Sequence, residues 1–205
     1  MRYTIPAMTP RRLLPTIALF VLLTSCGSTP NFPYENEPDP RKTEYVIGPA
    51  DRLSIRVWNN DQLNVDIQVR PDGTITMPLL GDIRAANQTP SELKAEISTA
   101  LTKYIKDGSA VVTVAVTEVN AYEVTVSGNV VQPGVYSSRR FLTVSDAVAL
   151  ASGPNRFAKV KEVVLIRPHT NGSVRRIPIN YEQIRAGTGE RQNLVLIRGD
   201  NLFFP

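Results

Sequence analysis

From residue 45 onward, apolar and polar positions mostly alternate with period two, and in two stretches the spacing lengthens to three and four. In YVIGPADRLSIRVW (45–58), Val46 and Ile47 lead into a Gly48–Pro49 turn. Leu53, Ile55 and Val57 then alternate with Ser54 and Arg56, the signature of a half-buried strand. In DIQVRPDGTITMPLLGDI (66–83), Pro71–Asp72–Gly73 separates two alternating runs and predicts a hairpin that continues the same sheet. Thr89–Pro90–Ser91–Glu92 supplies an N-cap, a proline at the first helical position and a capping-box glutamate, so a helix is predicted to start there. Leu93, Ile97, Ala100, Leu101, Tyr104 and Ile105 fall on one face of it. That stripe is read as core covering a small sheet, with a partner-binding helix as the other use of such a face. Asp107–Gly108 is expected to end the helix, and the β-branched run AVVTVAVTEV (110–119) to close the first domain as a strand.

A second unit follows without a linker. EVTVSGNVVQPGVY (123–136) reads as two short strands, and LTVSDAVALASG (142–153) as a short helix capped by Thr143 and stopped by Gly153. VVLIRP and VRRIPI flank His169–Thr170–Asn171–Gly172–Ser173, where Asn-Gly favours a tight hairpin, and NLVLIRGDNLFFP (193–205) supplies the last strand. Hairpin, helix, hairpin, strand is a β-grasp-like order. The fold class is α+β: a small sheet with one covering helix over residues 45–120, then a β-grasp-like domain over 121–205.

The N-terminal quarter is built differently. Arg2, Arg11 and Arg12 precede a largely apolar run from Leu13 to Leu23, and Thr24–Ser25 lead into Cys26, the single cysteine. Eleven residues rise only about 16 Å as a helix, too short for a hydrocarbon core of roughly 30 Å. Residues 1–25 therefore read as a cleaved signal peptide. Gly27 to Glu44 carries Pro30, Pro33, Pro38 and Pro40 with no apolar periodicity. It reads as a tether able to reach about 55 Å as an extended chain, or alternatively as a segment packed on a neighbouring subunit.

Composition narrows the chemistry. With 42% apolar and 20% charged residues, the 205-residue chain is not a disordered protein. Removing the three signal arginines from 23 basic residues leaves 20 against 19 acidic ones. No strongly basic body remains for nucleic acid. One cysteine and one histidine, His169, exclude an internal disulfide and a cysteine/histidine metal cluster of the chain's own. A glycan hydrolase would need two carboxylates facing each other across a cleft, and Asp66, Asp72 and Asp82 show no such context.

The residues before the cysteine, Leu23–Thr24–Ser25–Cys26, resemble a bacterial lipobox, which makes Cys26 the expected lipid attachment site; an incidental cysteine beside an ordinary cleavage site is the alternative. Gly27 in place of aspartate favours the outer membrane. The segments YVIGPADRLSIRVW, DGTITMPLLGDI and TPSELKAEI resemble the N-terminal domain of Wza-type outer-membrane polysaccharide export lipoproteins. VTVSGNVVQPGVY, LTVSDAVALASG, VLIRP and RGDNLFFP resemble the soluble-ligand-binding β-grasp (SLBB) domain that follows it in that family. The resemblance implies a lipid-anchored periplasmic ring of identical subunits that conducts capsular or exopolysaccharide, with no catalysis and no cofactor. It also implies an inner-membrane polysaccharide copolymerase as partner. Longer members end in a membrane-inserting amphipathic helix, whereas this sequence stops at Phe203–Phe204–Pro205. A separate outer-membrane β-barrel is accordingly expected to supply the pore. A periplasmic glycan- or small-ligand-binding sensor is the rival reading.

Individual residues add expectations. Gly48–Asp51 and Gly199–Asp200 each precede an alternating run and read as related turn-to-strand motifs. Arg139, Arg140, Arg175 and Arg176, with Lys159 and Lys161, are candidates for contact with an acidic polymer or a neighbouring subunit, against a solvated face. His169 reads as a surface histidine in a hairpin loop.

Overall fold

The computed structural model describes Met1 and residues 32–105, 111–169 and 172–205. Residues 32–205 form one compact unit with two hydrophobic cores, one per lobe.

In the first lobe, β1 (Arg52–Val57) lies between β2 (Val65–Gln68) and β5 (Val112–Glu118), antiparallel to both. Its alternation buries Leu53, Ile55 and Val57. Helix α1 (Pro90–Leu101) closes over this face, with Leu93, Ile97 and Leu101 fully buried at i, i+4 and i+8. Each such aliphatic side chain contributes about 1.5–3 kcal/mol by leaving water. The helix starts as its sequence dictates: Thr89 Oγ1 accepts the Glu92 N–H at 3.2 Å and Glu92 Oε2 accepts the Thr89 N–H at 2.8 Å. It ends sooner than the stripe suggests. Leu101 is its last helical residue and Tyr104 is exposed, while Ile105 beyond the helix still packs, partly buried, against the core; Asp107–Gly108 lies outside the described residues.

The expected hairpin across Pro71–Gly73 is also modified. The turn is there, since the Gly73 N–H donates to Arg70 O at 2.8 Å and the Arg70 N–H to Thr74 O at 2.9 Å. The strand after it, β3 (Thr74–Met77), leaves that sheet and pairs with β4 (Gly81–Arg84) in a ladder of its own. Ile75, Met77 and Ile83 from this ladder enter the same core as β1, which lets both small sheets share one apolar interior.

The second lobe is a five-stranded sheet in the order β7–β6–β10–β8–β9. It is built from β6 (Glu123–Gly128), β7 (Gly134–Ser137), β8 (Val163–Pro168), β9 (Val174–Ile179) and β10 (Asn201–Phe204). The last strand runs parallel to β6 and antiparallel to β8 between the two hairpins, which is the β-grasp topology. Helix α2 (Val144–Leu150) has the capping box of Thr143 with Asp146 and buries Val144, Ala147 and Val148 on the sheet. A further short helix, α3 (Tyr181–Arg185), falls where the sequence reading placed no element.

The tether expectation fails from Phe32 onward. Phe32 and Tyr34 pack against the second lobe's core, and the Tyr34 hydroxyl donates to Pro178 O at 2.6 Å. Two short 3₁₀ turns, Tyr34–Asn36 and Pro40–Lys42, carry the segment along, and Glu37 is buried. Two aromatics and an acid have partners here, so this stretch is a strap bound to its own chain.

Candidate functional site

Two turns of the same construction lead into β1 and β10. In Gly48–Pro49–Ala50–Asp51, proline presets the first corner and Ala50 takes the second in the left-handed region, φ 72°. The Asp51 N–H donates to Gly48 O at 3.3 Å, and Asp51 Oδ2 accepts the Gly48 N–H at 2.8 Å. In Ile197–Arg198–Gly199–Asp200 the left-handed corner is Gly199, φ 84°. Here the Asp200 N–H donates to Ile197 O at 3.1 Å, and Asp200 Oδ2 accepts the Ile197 N–H at 2.8 Å. Both aspartates are fully buried.

Their remaining acceptor capacity goes to different partners. Asp51 Oδ1 accepts the N–H groups of Asn120 and Ala121, each at 2.7 Å, in the stretch joining the lobes, and Oδ2 accepts the Tyr45 hydroxyl at 2.7 Å. Burial, and then the bond to this carboxylate, push the Tyr45 phenol above its ordinary range. Asp200 instead meets Arg167 side-on, Nε to Oδ1 at 3.0 Å and Nη2 to Oδ2 at 2.7 Å. Arg167 Nη1 also reaches Glu37 Oε2 at 3.0 Å, and Nη2 donates to Val195 O at 3.2 Å. Arg175 Nη2 stands 3.0 Å from Glu37 Oε1. Burial pulls the Arg167 pKa down; the bonds and charges of Asp200 and Glu37 more than offset it, and the guanidinium titrates above its ordinary value. Two carboxylates and two guanidinium groups balance, which is the condition for keeping charge out of water.

Arg198 joins the two turns. From the second one it reaches back to donate to Asn87 Oδ1 at 3.1 Å, laying its guanidinium over Gly48. A Cβ at position 48 would stand 1.9 Å from Arg198 Nη1 and 2.3 Å from Ala121 Cβ, so only glycine permits the approach. The Gly199 N–H donates to Glu123 O at 2.9 Å and the Thr125 N–H to Asp200 O at 2.8 Å, which fixes the second turn to the start of β6. The lobes are therefore joined by side-chain bonds, those of Asp51 to the Asn120 and Ala121 amides and of Arg198 to Asn87.

The structure distributes the other candidates. Arg139 and Arg140 follow β7 and Arg175 and Arg176 lie on β9, the opposite edges of one sheet, so the four do not form a single basic patch. Arg140 is paired with Asp146 at 3.2 Å and Arg175 with Glu37 at 3.0 Å, while both side chains stay partly exposed, at 69% and 38%. Arg139 and Arg176 are exposed. Lys159 pairs with Glu162 and Lys161 with Glu182. His169 is exposed. Asp66 is bound by Arg56, and Asp72 and Asp82 by Arg70. Hydrogen bonds from neighbouring side chains hold all three carboxyls below their ordinary value, Asp72 at about 2, away from the raised value that a general acid requires. Among the described residues no group of three or more His, Cys, Asp and Glu is arranged to hold a metal ion. Cys26 lies outside the described residues.

Glu37 and Arg167 are the residues that sequence reasoning missed. The alternation itself carries the signal for one of them: in VVLIRP, Val163 and Leu165 face the core and Arg167 is next in that register, so an arginine is aimed inward and demands an acid.

Comparison with known proteins matches these lobes one by one. Residues 39–117 match the family model for polysaccharide biosynthesis/export proteins, and residues 124–178 match the SLBB domain. The exopolysaccharide production protein ExoF of Rhizobium meliloti (strain 1021) is 33% identical over 129 residues, covering 57% of this chain and 30% of that protein. The EPS I polysaccharide export outer membrane protein EpsA of Ralstonia solanacearum is 30% identical over 139 residues, 56% of this chain and 36% of the relative. The polysialic acid transport protein KpsD of Escherichia coli is 28% identical over 93 residues, 45% of this chain and 16% of the relative. The match thus spans little more than a third of EpsA and less of the other two. The chain thus carries a polysaccharide biosynthesis/export domain and an SLBB domain in tandem, each on its own lobe, the domain pair of a Wza-type export protein.

Proposed function

We propose that the protein is a lipid-anchored, periplasm-facing component of the outer membrane that conducts capsular or exopolysaccharide out of the cell as a ring of identical subunits. The observation that carries this reading is the tandem of export and SLBB domains, shared in part with relatives named for exopolysaccharide production and polysaccharide export. Passage through a ring breaks no bond. It needs a wall that keeps its shape, and the junction through Asp51, Gly48 and Arg198 supplies stiffness between the lobes. The cargo is the polysaccharide. The reading includes an inner-membrane copolymerase below the ring and a separate outer-membrane β-barrel above it.

The strap adds an orientation. If Cys26 bears the acyl anchor, only five residues, 27–31, separate it from Phe32, which is already docked on the second lobe. The six Cα-to-Cα steps from 26 to 32 span at most about 20 Å, against about 55 Å for a free tether of residues 27–44. The SLBB lobe then sits next to the outer membrane and the export lobe points into the periplasm.

The test is the amount of polysaccharide secreted and cell-retained by a strain lacking the protein, and by that strain re-expressing it with Cys26 intact or as Cys26→Ser. Loss of secreted polymer, restored by the intact form alone, is expected. Unchanged secretion in the deletion strain would move the ligand-sensor reading to the front.

A further inference from the structure

The end of the export lobe farthest from the lobe junction exposes apolar side chains for which the fold has no use. β1 runs from Arg52, beside the junction, to Val57, and there Trp58 stands 70% exposed, with Leu79, Tyr104 and Val111 each more than half exposed. These residues rim two adjoining clefts of about 500 and 300 Å³. Leu79 and Tyr104 line the larger and Trp58 and Val111 the smaller, while Asn59 and Asp61 line both, so the clefts meet across the turn at 59–61.

The turn is held in place before anything binds. The Trp58 N–H donates to Val111 O at 3.0 Å, and the Val57 N–H to Asn64 Oδ1 at 2.8 Å. Asn64 Nδ2 donates to Asp61 Oδ1 at 3.1 Å, and Asn60 Nδ2 to Trp58 O at 3.1 Å, above the buried plug Leu63. Asn59 (φ 56°) and Leu79 (φ 65°) both take the left-handed backbone, which a leucine rarely adopts; Leu79 is at the same time presented to solvent.

Exposed rings beside neutral amides match the two surfaces of a sugar. The C–H face of a pyranose carries slight positive charge and lies against the electron-rich face of an aromatic ring, while its rim of hydroxyls needs neighbouring groups that both donate and accept. Asn59, Asn60 and Gln62 offer such amides around the larger cleft, which no lysine or arginine lines. Arg56, in the smaller cleft, is occupied by Asp66 at 2.8 Å. The core of a protein–protein contact is typically enriched in arginine and methionine as well as aromatics, and neither lines the larger cleft. Two clefts in series, both open to solvent, suit an extended polymer.

We infer that this face is a glycan-binding subsite, on which the exported chain lies with one sugar ring stacked on Trp58 and a neighbouring one against Tyr104. The inference rests on the export reading above. It places first contact with the polymer at the periplasmic end of the protein.

Trp58 is the sole tryptophan of the sequence, so tryptophan fluorescence reports this face alone. Full-length acylated protein in a sugar-free detergent is titrated with the producing strain's extracellular polysaccharide, cut to short oligosaccharides by mild acid. A saturable shift of emission to shorter wavelength, with protection from acrylamide quenching, is expected. Tyr104→Ala is expected to weaken the titration about tenfold, and a sugar unrelated to the cargo to give none of it. Absence of any shift overturns the subsite. So does a shift that follows protein concentration without sugar, which makes the face an interface between copies. In cells, Trp58→Ala should cut secretion while Trp58→Phe preserves most of it. Full secretion by Trp58→Ala in a strain whose deletion mutant secretes nothing sinks the subsite and leaves the export reading standing. Full secretion by the deletion mutant sinks the export reading, and the titration still decides whether the face binds glycan.

Discussion

The turns before β1 and β10 are nearly superimposable in logic and opposite in electrostatics. Each closes a left-handed corner with an aspartate that accepts the N–H three residues back. Asp51 spends its second oxygen on backbone amides and stays among neutral partners, whereas Asp200 draws in Arg167 and, through it, Glu37 from the N-terminal strap. One device ties lobe to lobe and the other ties the strap to the second lobe. A shared local solution has been put to two architectural uses, and the partner of the spare oxygen decides which.

The largest effect should come from the charged device. Arg167→Leu strands Glu37 and Asp200 in the interior, and breaking a buried pair in this way costs about 3–5 kcal/mol. At about 2–4 °C per kcal/mol, thermal unfolding is expected to move down by about 10 °C. A fall of only a degree or two would mean that the cluster is hydrated and that the contrast between the two turns is superficial.

Next, the glycines should fail for different reasons. Gly48→Ala drives a methyl group into Ala121 and Arg198 and is expected to cost about 1–3 kcal/mol, with a gain in protease cleavage near residue 120 as the lobes part. Gly199→Ala meets only Pro168 Cγ at 3.3 Å and costs about 1–2 kcal/mol through its left-handed backbone, with the lobes still joined. Limited proteolysis beside the unfolding curves separates the two. Equal cleavage in both variants would remove the distinction.

A smaller loss is expected at the helix caps, which belong to neither turn. Thr89→Ala should cost about 1 kcal/mol, and Thr143→Ala a similar amount, measured by denaturant midpoint at constant slope.

The smallest effect is pH-dependent. Asp72 titrates at about 2 in the folded chain against an ordinary 3.8, first because the Thr74 hydroxyl bonds it and then because Arg70 does. A depressed carboxyl contributes stability above its unfolded value, and that contribution is lost as pH falls from near 3.8 toward 2. The site is exposed, so the slope is shallow, and Asp72→Asn should flatten it in acid unfolding curves.

What was legible in the sequence follows the same division between local and distant. The Thr89–Glu92 and Thr143–Asp146 caps, the glycine-aspartate turns and the β-grasp order are written within a few residues of where they act. The charged device was not, because Glu37 and Arg167 are 130 positions apart and a proline-rich stretch gives no hint that it will dock. Period-two alternation announces β2 and β3 but not their partners, so β3 could be placed in the wrong sheet. The acids beside Arg140 and Arg175 were not legible either, because Asp146 and Glu37 meet them only in the folded chain. The aromatic face went unnoticed for the converse reason: Tyr104 fitted the helical stripe so well that its exposure came as a correction.

The central claim is that the protein surrounds its cargo. Its most direct test is electron microscopy of the acylated protein extracted from membranes of the producing strain. The account expects closed rings of identical subunits around an open lumen, with the SLBB lobes toward the anchored side. A protein that stays monomeric in those membranes and still restores secretion would contradict it.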